Sequence, residues 1–178
     1  MNRGNSVEIE RKYRIDRFPD DREGWPLLKA AEVQQGYLAT SPTVRIRSEK
    51  ATYPETKTTY ILCFKGEGTL VRQEIELPLD QETFLQLQAL LPASMIRKDY
   101  RVYALPDGHR LECSLVDGDQ PDGFYYAEVE FQSVEESEAF VPPAFLGSEA
   151  TEDPDFSMSE YWLRKKKACS GPDMGNPQ

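Results

Sequence analysis

The stretch VEIERKYRI, residues 7–15, alternates charged and apolar side chains. Side chains of a strand point to opposite faces with a period of two. Read that way, Glu8, Glu10 and Lys12 share one face, and Val7, Ile9, Tyr13 and Ile15 share the other. Two acids and a base in line describe either a solvated sheet face or one wall of a site, and the neighbouring runs bear on which.

The alternation recurs over residues 43–47, 60–65 and 71–77, the last two separated by Gly66-Glu67-Gly68, a hairpin-type turn. Residues 94–104 and 110–116 flank the turn Leu105-Pro106-Asp107-Gly108 and read as a second hairpin. Residues 125–132 form another strand, and Gln35-Gly36-Tyr37-Leu38 a short one. Seven or eight strands joined mostly by hairpins imply an antiparallel sheet. Such a sheet tends to curl or close, because closure removes unpaired edges.

Helices are few. Asp80 caps a run over residues 81–91, with Phe84, Leu87 and Leu91 on one stripe and Pro92 as its stop. Ser133 with Glu136 and Ser157 with Glu160 have capping-box spacing for two further helices. One domain over residues 1–170 and a disordered tail at 171–178 are expected.

Carried through every strand, the alternation segregates charge. Glu128 and Glu130 share a face, as do Arg45 and Arg47; Arg72 lies in line with Glu74 and Glu76. Lys65 is opposite Phe64 in facing, Lys98 precedes Tyr100 by two, and Glu112 precedes Ser114 by two. A solvated face explains any one strand. Over all of them it fits less well, since like charges in line repel unless something of opposite sign lies between. If the sheet curls with these faces inward, one side of the lumen is acidic and the other basic. Aligned carboxylates suit hard divalent cations, and arginines suit phosphate oxygens through forked hydrogen bonds. The ligand read from this arrangement is a linear, phosphate-rich anion held with Mg²⁺ or Mn²⁺. A polar lumen also accounts for a mean hydropathy of -0.63 in a chain of 178 residues.

The formal net charge of -10 argues against a nucleic-acid binder or an anionic-membrane binder. Three cysteines without metal-type spacing suit free thiols in a reducing compartment, and the single histidine, His109, flanks a turn. No apolar run is long enough to cross a bilayer, and the first residues lack a signal-peptide core, so a cytoplasmic location is expected.

In this order, Glu8-Ile9-Glu10-Arg11-Lys12, Gln35-Gly36-Tyr37-Leu38, Arg45-Ile46-Arg47, Phe64-Lys65-Gly66, Arg72-Gln73-Glu74-Ile75-Glu76, Glu128-Val129-Glu130-Phe131 and Thr151-Glu152-Asp153 resemble the CYTH superfamily, the triphosphate tunnel metalloenzymes. The first segment matches the ExExK signature, and the resemblance covers about residues 7–165. It implies a mainly β, α+β fold: an eight-stranded antiparallel tunnel with a few helices packed outside. The short bacterial branch that hydrolyses tripolyphosphate is the most similar. By this resemblance Glu8, Glu10, Glu112, Glu128 and Glu130 bind metal. Lys12, Arg45, Arg47, Lys65, Arg72 and Lys98 hold the triphosphate, Lys12 and Lys98 are candidates for catalytic proton transfer, and Glu74 and Glu76 support them.

Phe156-Ser157-Met158 departs from the family's aromatic-x-Asn pattern, and two further positions, within the strands, depart from the family's usual residues. Tyr100 stands where an arginine is usual, and Ser114 where an aspartate is, which implies one phosphate contact and one metal-side carboxylate fewer. The expected activity is hydrolysis of tripolyphosphate or a related triphosphate. Alternatives are a nucleoside or thiamine triphosphatase, a class IV-type adenylate cyclase, or a weakened polyphosphate or nucleotide binder. The oligomeric state is open, a homodimer among the options.

Overall fold

The computed structural model describes residues 6–170; the tail at 171–178, expected to be disordered, lies outside the described residues. The strands are β1 (Ser6–Arg14), β2 (Leu27–Thr40), β3 (Thr43–Tyr53), β4 (Lys57–Lys65), β5 (Val71–Leu79), β6 (Ile96–Ala104), β7 (Arg110–Val116) and β8 (Phe124–Glu130). They close into one antiparallel barrel in the order β1-β5-β4-β3-β2-β6-β7-β8. Closure runs through β1. Its first half pairs with β5, setting Glu8 opposite Arg72, and its second half pairs with β8, setting Lys12 opposite Glu128 and Glu10 opposite Glu130.

The short strand expected at residues 35–38 is in fact the end of a 14-residue strand, β2. Its first half, Leu-Leu-Lys-Ala-Ala-Glu, is rich in residues that favour helix. Pairing with β3 on one side and β6 on the other overrides that preference. Within β2, Gly36 lies under Leu91: a Cβ there would lie 2.4 Å from Leu91 Cδ1, so that side chain would have to move.

The three helices are α1 (Gln81–Gln88), α2 (Val134–Ala139) and α3 (Met158–Ser170). In α1 the Thr83 amide donates to the Asp80 carboxylate at 2.7 Å. The helix ends short of residue 91 because its last turn tightens, with Leu90 and Leu91 donating to the carbonyls three residues back. Phe84 packs with Ile46, Tyr60 and Leu62 on the outside of β3 and β4. Ser133 caps α2 as its spacing predicts. On that side of the barrel Tyr13, Leu111, Cys113, Ala127 and Val129 are covered by Phe131, Phe140 and Leu146. Burying such side chains contributes roughly 1.5–3 kcal/mol each, so the apolar stabilisation of the wall comes largely from its outer face.

The third helix sits across one end of the lumen. Tyr161 and Trp162 pack against Tyr37, Ile96, Val116 and Tyr126. Buried Asp117 fastens it, accepting hydrogen bonds from the Arg97 amide at 2.8 Å, Tyr161 Oη at 2.9 Å and Lys165 Nζ at 2.6 Å. The rest of the basic run, Arg164, Lys166 and Lys167, is exposed. Among the described residues no helix is long and apolar enough to cross a membrane.

Candidate active site

Alternation along the strands turns one face of each into the barrel, where a cavity of about 950 Å³ lies. Its lining includes Glu8, Glu10 and Lys12 from β1, Arg45 and Arg47 from β3, and Lys65 from β4. Arg72, Glu74 and Glu76 come from β5, Lys98 from β6, Glu112 from β7, and Glu128 and Glu130 from β8. Every charged residue singled out in the sequence therefore faces this one space.

Along the wall formed by β8, β1, β5 and β4 the two signs meet. Lys65 Nζ donates to both oxygens of Glu8 at 2.9 Å. Arg72 spans two acids, with Nε on Glu8 at 2.6 Å and Nη2 on Glu10 at 2.5 Å. Lys12 Nζ lies 3.1 Å from Glu10 and 3.7 Å from Glu128. On the opposite wall the pairing is looser. Arg45 is buried, yet its Nη2 lies 3.7 and 3.9 Å from Glu74 and Glu76, and its Nε has no partner. The Nε of Arg47 is also buried without a partner, while its Nη2 donates to Glu49 at 2.6 Å. Glu49 also pairs with Lys29. Glu49 was not singled out in the sequence, although its place two residues after Arg47 puts both on one strand face.

The carboxylates sit in unlike fields. Burial alone would raise Glu8, but Lys65 and Arg72 hold it well below the usual carboxylate range. Burial, then the charges of Glu128 and Glu8, raise Glu10. Burial and the charge of Glu112, with Glu8, Glu10 and Glu128 behind it, push Glu130 up to about 7. Among the described residues neither Glu112 nor Glu130 has an ion-pair partner. Oxygens of Glu8, Glu10 and Glu130 lie within 4.8 Å of one another. An all-oxygen donor set fits a hard divalent cation, and within it Glu130 brings a carboxylate that no cation among the described residues pairs. Glu112 and Glu128 line the same cavity outside this tightest group. A second group, Cys63, Glu74 and Glu76, surrounds Arg45, with Cys63 Sγ donating to Glu74 at 3.0 Å.

Hydroxyls fill the gaps between charges. Tyr100, Ser114 and Tyr126 face one another in register across β6, β7 and β8. Lys98 Nζ donates to Tyr126 Oη at 2.6 Å. Burial, then the neighbouring cations Arg47, Arg45 and Lys12, lower Lys98 to about 7, against the pull of Glu128. Burial also raises the Tyr126 phenol well above its ordinary value, so it stays protonated. Tyr37 and Tyr126 were not singled out in the sequence, although extending the inward register from Gln35 and Glu128 reaches both.

A closed antiparallel tunnel whose lining interleaves acids and bases, in place of the separate acidic and basic sides expected from sequence, defines a triphosphate-tunnel protein. No protein-family model matches the chain. It is 36% identical over 151 residues to the inorganic triphosphatase of Nitrosomonas europaea, a match spanning 83% of this chain and 91% of that protein. The crystal structure of the inorganic triphosphatase NE1496 superposes with a TM-score of 0.60 at 31% identity, covering 88% of this chain and 94% of that one. The PH1819 protein from Pyrococcus horikoshii OT3 shares the fold at 19% identity and a TM-score of 0.51, covering 74% and 81%. The chain belongs to the CYTH family of triphosphate tunnel metalloenzymes.

Proposed function

We propose that this chain is a triphosphatase that cleaves inorganic tripolyphosphate, or a closely related triphosphate, inside the barrel with Mg²⁺ or Mn²⁺. The observation that carries the reading is the convergence of seven carboxylates and six cations on one cavity. With every group ionised this lining is one unit negative, so a polyphosphate anion is opposed unless cations accompany it. The buried, unpartnered Nε atoms of Arg45 and Arg47 are donors suited to phosphate oxygens.

In this reading Glu8, Glu10 and Glu130 hold a divalent cation, with Glu112 and Glu128 beside them. When bound, the cation supplies Lewis-acid polarisation of phosphoryl oxygens and a more acidic water. Arg45, Arg47, Lys65 and Arg72 orient the phosphates and stabilise charge that develops on the transferred group and the leaving group. Lys12, 3.1 Å from Glu10 and 3.7 Å from Glu128, acts by charge. Lys98, held on Tyr126 and poised near neutrality, can give its Nζ proton to the departing phosphate oxygen.

The test is phosphate release from tripolyphosphate, ATP and thiamine triphosphate, each with Mg²⁺, Mn²⁺ or a chelator. The expected result is metal-dependent release, fastest from tripolyphosphate. No release from any substrate with either metal would overturn the reading; faster release from an organic triphosphate would transfer it to that substrate.

A further inference from the structure

Tyr100 replaces a cation usual at this position, and its surroundings give it a task of its own. The side chain is buried. Its hydroxyl donates to Glu112 Oε2 at 2.7 Å. The Arg47 guanidinium lies 5.4 Å from its ring centroid and Lys29 Nζ 5.6 Å. One rigid side chain thus touches the acid wall with its tip and the base wall with its face. Among the described residues Glu112 has no ion-pair partner, so a neutral donor alone fixes its orientation. An arginine in this place would ion-pair with Glu112 and crowd Arg47 and Lys29 with a third cation. The phenol orients the carboxylate and leaves its charge uncompensated beside Glu130, where Glu112 is felt.

We propose that Tyr100 is a positioning residue that holds Glu112 ready for a divalent cation while supporting Arg47 for the triphosphate, an inference that rests on the triphosphatase reading. Partners that orient metal ligands typically contribute on the order of 10–100-fold in affinity. The ring and the hydroxyl divide the two tasks. Tyr100→Phe keeps the cation–π support and removes only the hydrogen bond, whereas Tyr100→Arg replaces a neutral donor with a competing charge.

The experiment is Mn²⁺ binding by calorimetry without substrate, alongside kcat and KM for tripolyphosphate at saturating Mn²⁺. Y100F is expected to weaken Mn²⁺ binding roughly tenfold and to change KM less than about twofold, since the Arg47 contact survives. Y100R is expected to weaken Mn²⁺ binding further. In a Glu112→Gln background, Y100F should have no added effect, because the two act as a unit. Unchanged Mn²⁺ binding in Y100F, or additive effects of Y100F and E112Q, would overturn the proposal. So would a wild-type protein that binds no Mn²⁺. Wild-type protein that binds Mn²⁺ but releases no phosphate would sink the activity assignment instead, and the calorimetric cycle would still decide the Tyr100–Glu112 coupling.

Discussion

Replacing Lys98 with methionine is expected to stabilise the ligand-free protein while disabling it. Lys98 is only 9% exposed, and burial with three neighbouring cations lowers it from 10.5 to about 7. Below that value the fold carries a buried ammonium, whereas the unfolded chain carries the same charge in water. At 1.36 kcal/mol per tenfold, the drop corresponds to a cost of about 5 kcal/mol. Between pH 7 and 10.5 the unfolded chain holds a proton that the folded one has released, so this cost fades as pH rises. Methionine has a similar length and no charge. It removes the cost and also the hydrogen bond to Tyr126, which contributes about 2 kcal/mol. The net gain near pH 6.5 is about 3 kcal/mol, or roughly 6–12 °C in melting temperature for a chain of this size. Near pH 10 most of that cost has gone and the lost hydrogen bond outweighs the remainder, so the variant should melt slightly below wild type. Calorimetric melting of both proteins at the two pH values, with a chelator present, checks this. A difference of the same sign and size at both would refute the reasoning.

Three further outcomes follow from the same geometry. Arg45→Lys should lower kcat/KM for tripolyphosphate at least about tenfold, chiefly through KM, because an ammonium cannot replace the forked donors; initial-rate phosphate assays measure it. In chelator, stability should pass through a trough near pH 7. Glu130, pushed up to about 7, takes up in the fold a proton that the unfolded chain lacks between about 4.5 and 7, so stability falls across that window. Lys98 then makes stability rise above 7, and Mn²⁺ should fill the trough; a single broad maximum in melting temperature around neutrality would contradict this. Asp117→Ala leaves Lys165, Tyr161 and the Arg97 amide without their shared acceptor. It should cost about 3 kcal/mol, read as an earlier melt and faster proteolysis of α3.

What the sequence disclosed and what it hid divide along physical lines. The lumen was legible because a period of two is strict: once Glu8, Arg45 and Glu128 face inward, their neighbours two residues away follow. The first half of β2 was hidden because Leu27 to Glu32 carry no such alternation, and their conformation is imposed by two partner strands. Strand register was also hidden. Nothing local says that Arg72 meets both Glu8 and Glu10, or that Glu112 is left to Tyr100, since those pairings depend on how strands distant in sequence slide against each other. The replacement of arginine by Tyr100 reads from sequence as a lost phosphate contact, and only the fold shows that its hydroxyl donates to Glu112.

The lumen pairs have a further consequence for how the barrel can afford them. Removing ions from water costs several kcal/mol each, and their mutual attraction returns that only with good geometry. Glu8, Glu10, Lys65 and Arg72 have such geometry, at 2.5–2.9 Å. Among the described residues Arg45, Glu130 and Lys98 have no opposite charge that near: Arg45 keeps an unpartnered Nε, and Glu130 and Lys98 are shifted toward their neutral forms. The tight set keeps the wall in register, and the loose set is where an added anion and cation would relieve the most unfavourable electrostatics. Ligand affinity and the instability of the ligand-free lumen are then two measures of one quantity: substitutions that neutralise Lys98 or Glu130 should raise melting temperature and weaken ligand binding together, whereas cutting Arg72 from Glu8 should lower both.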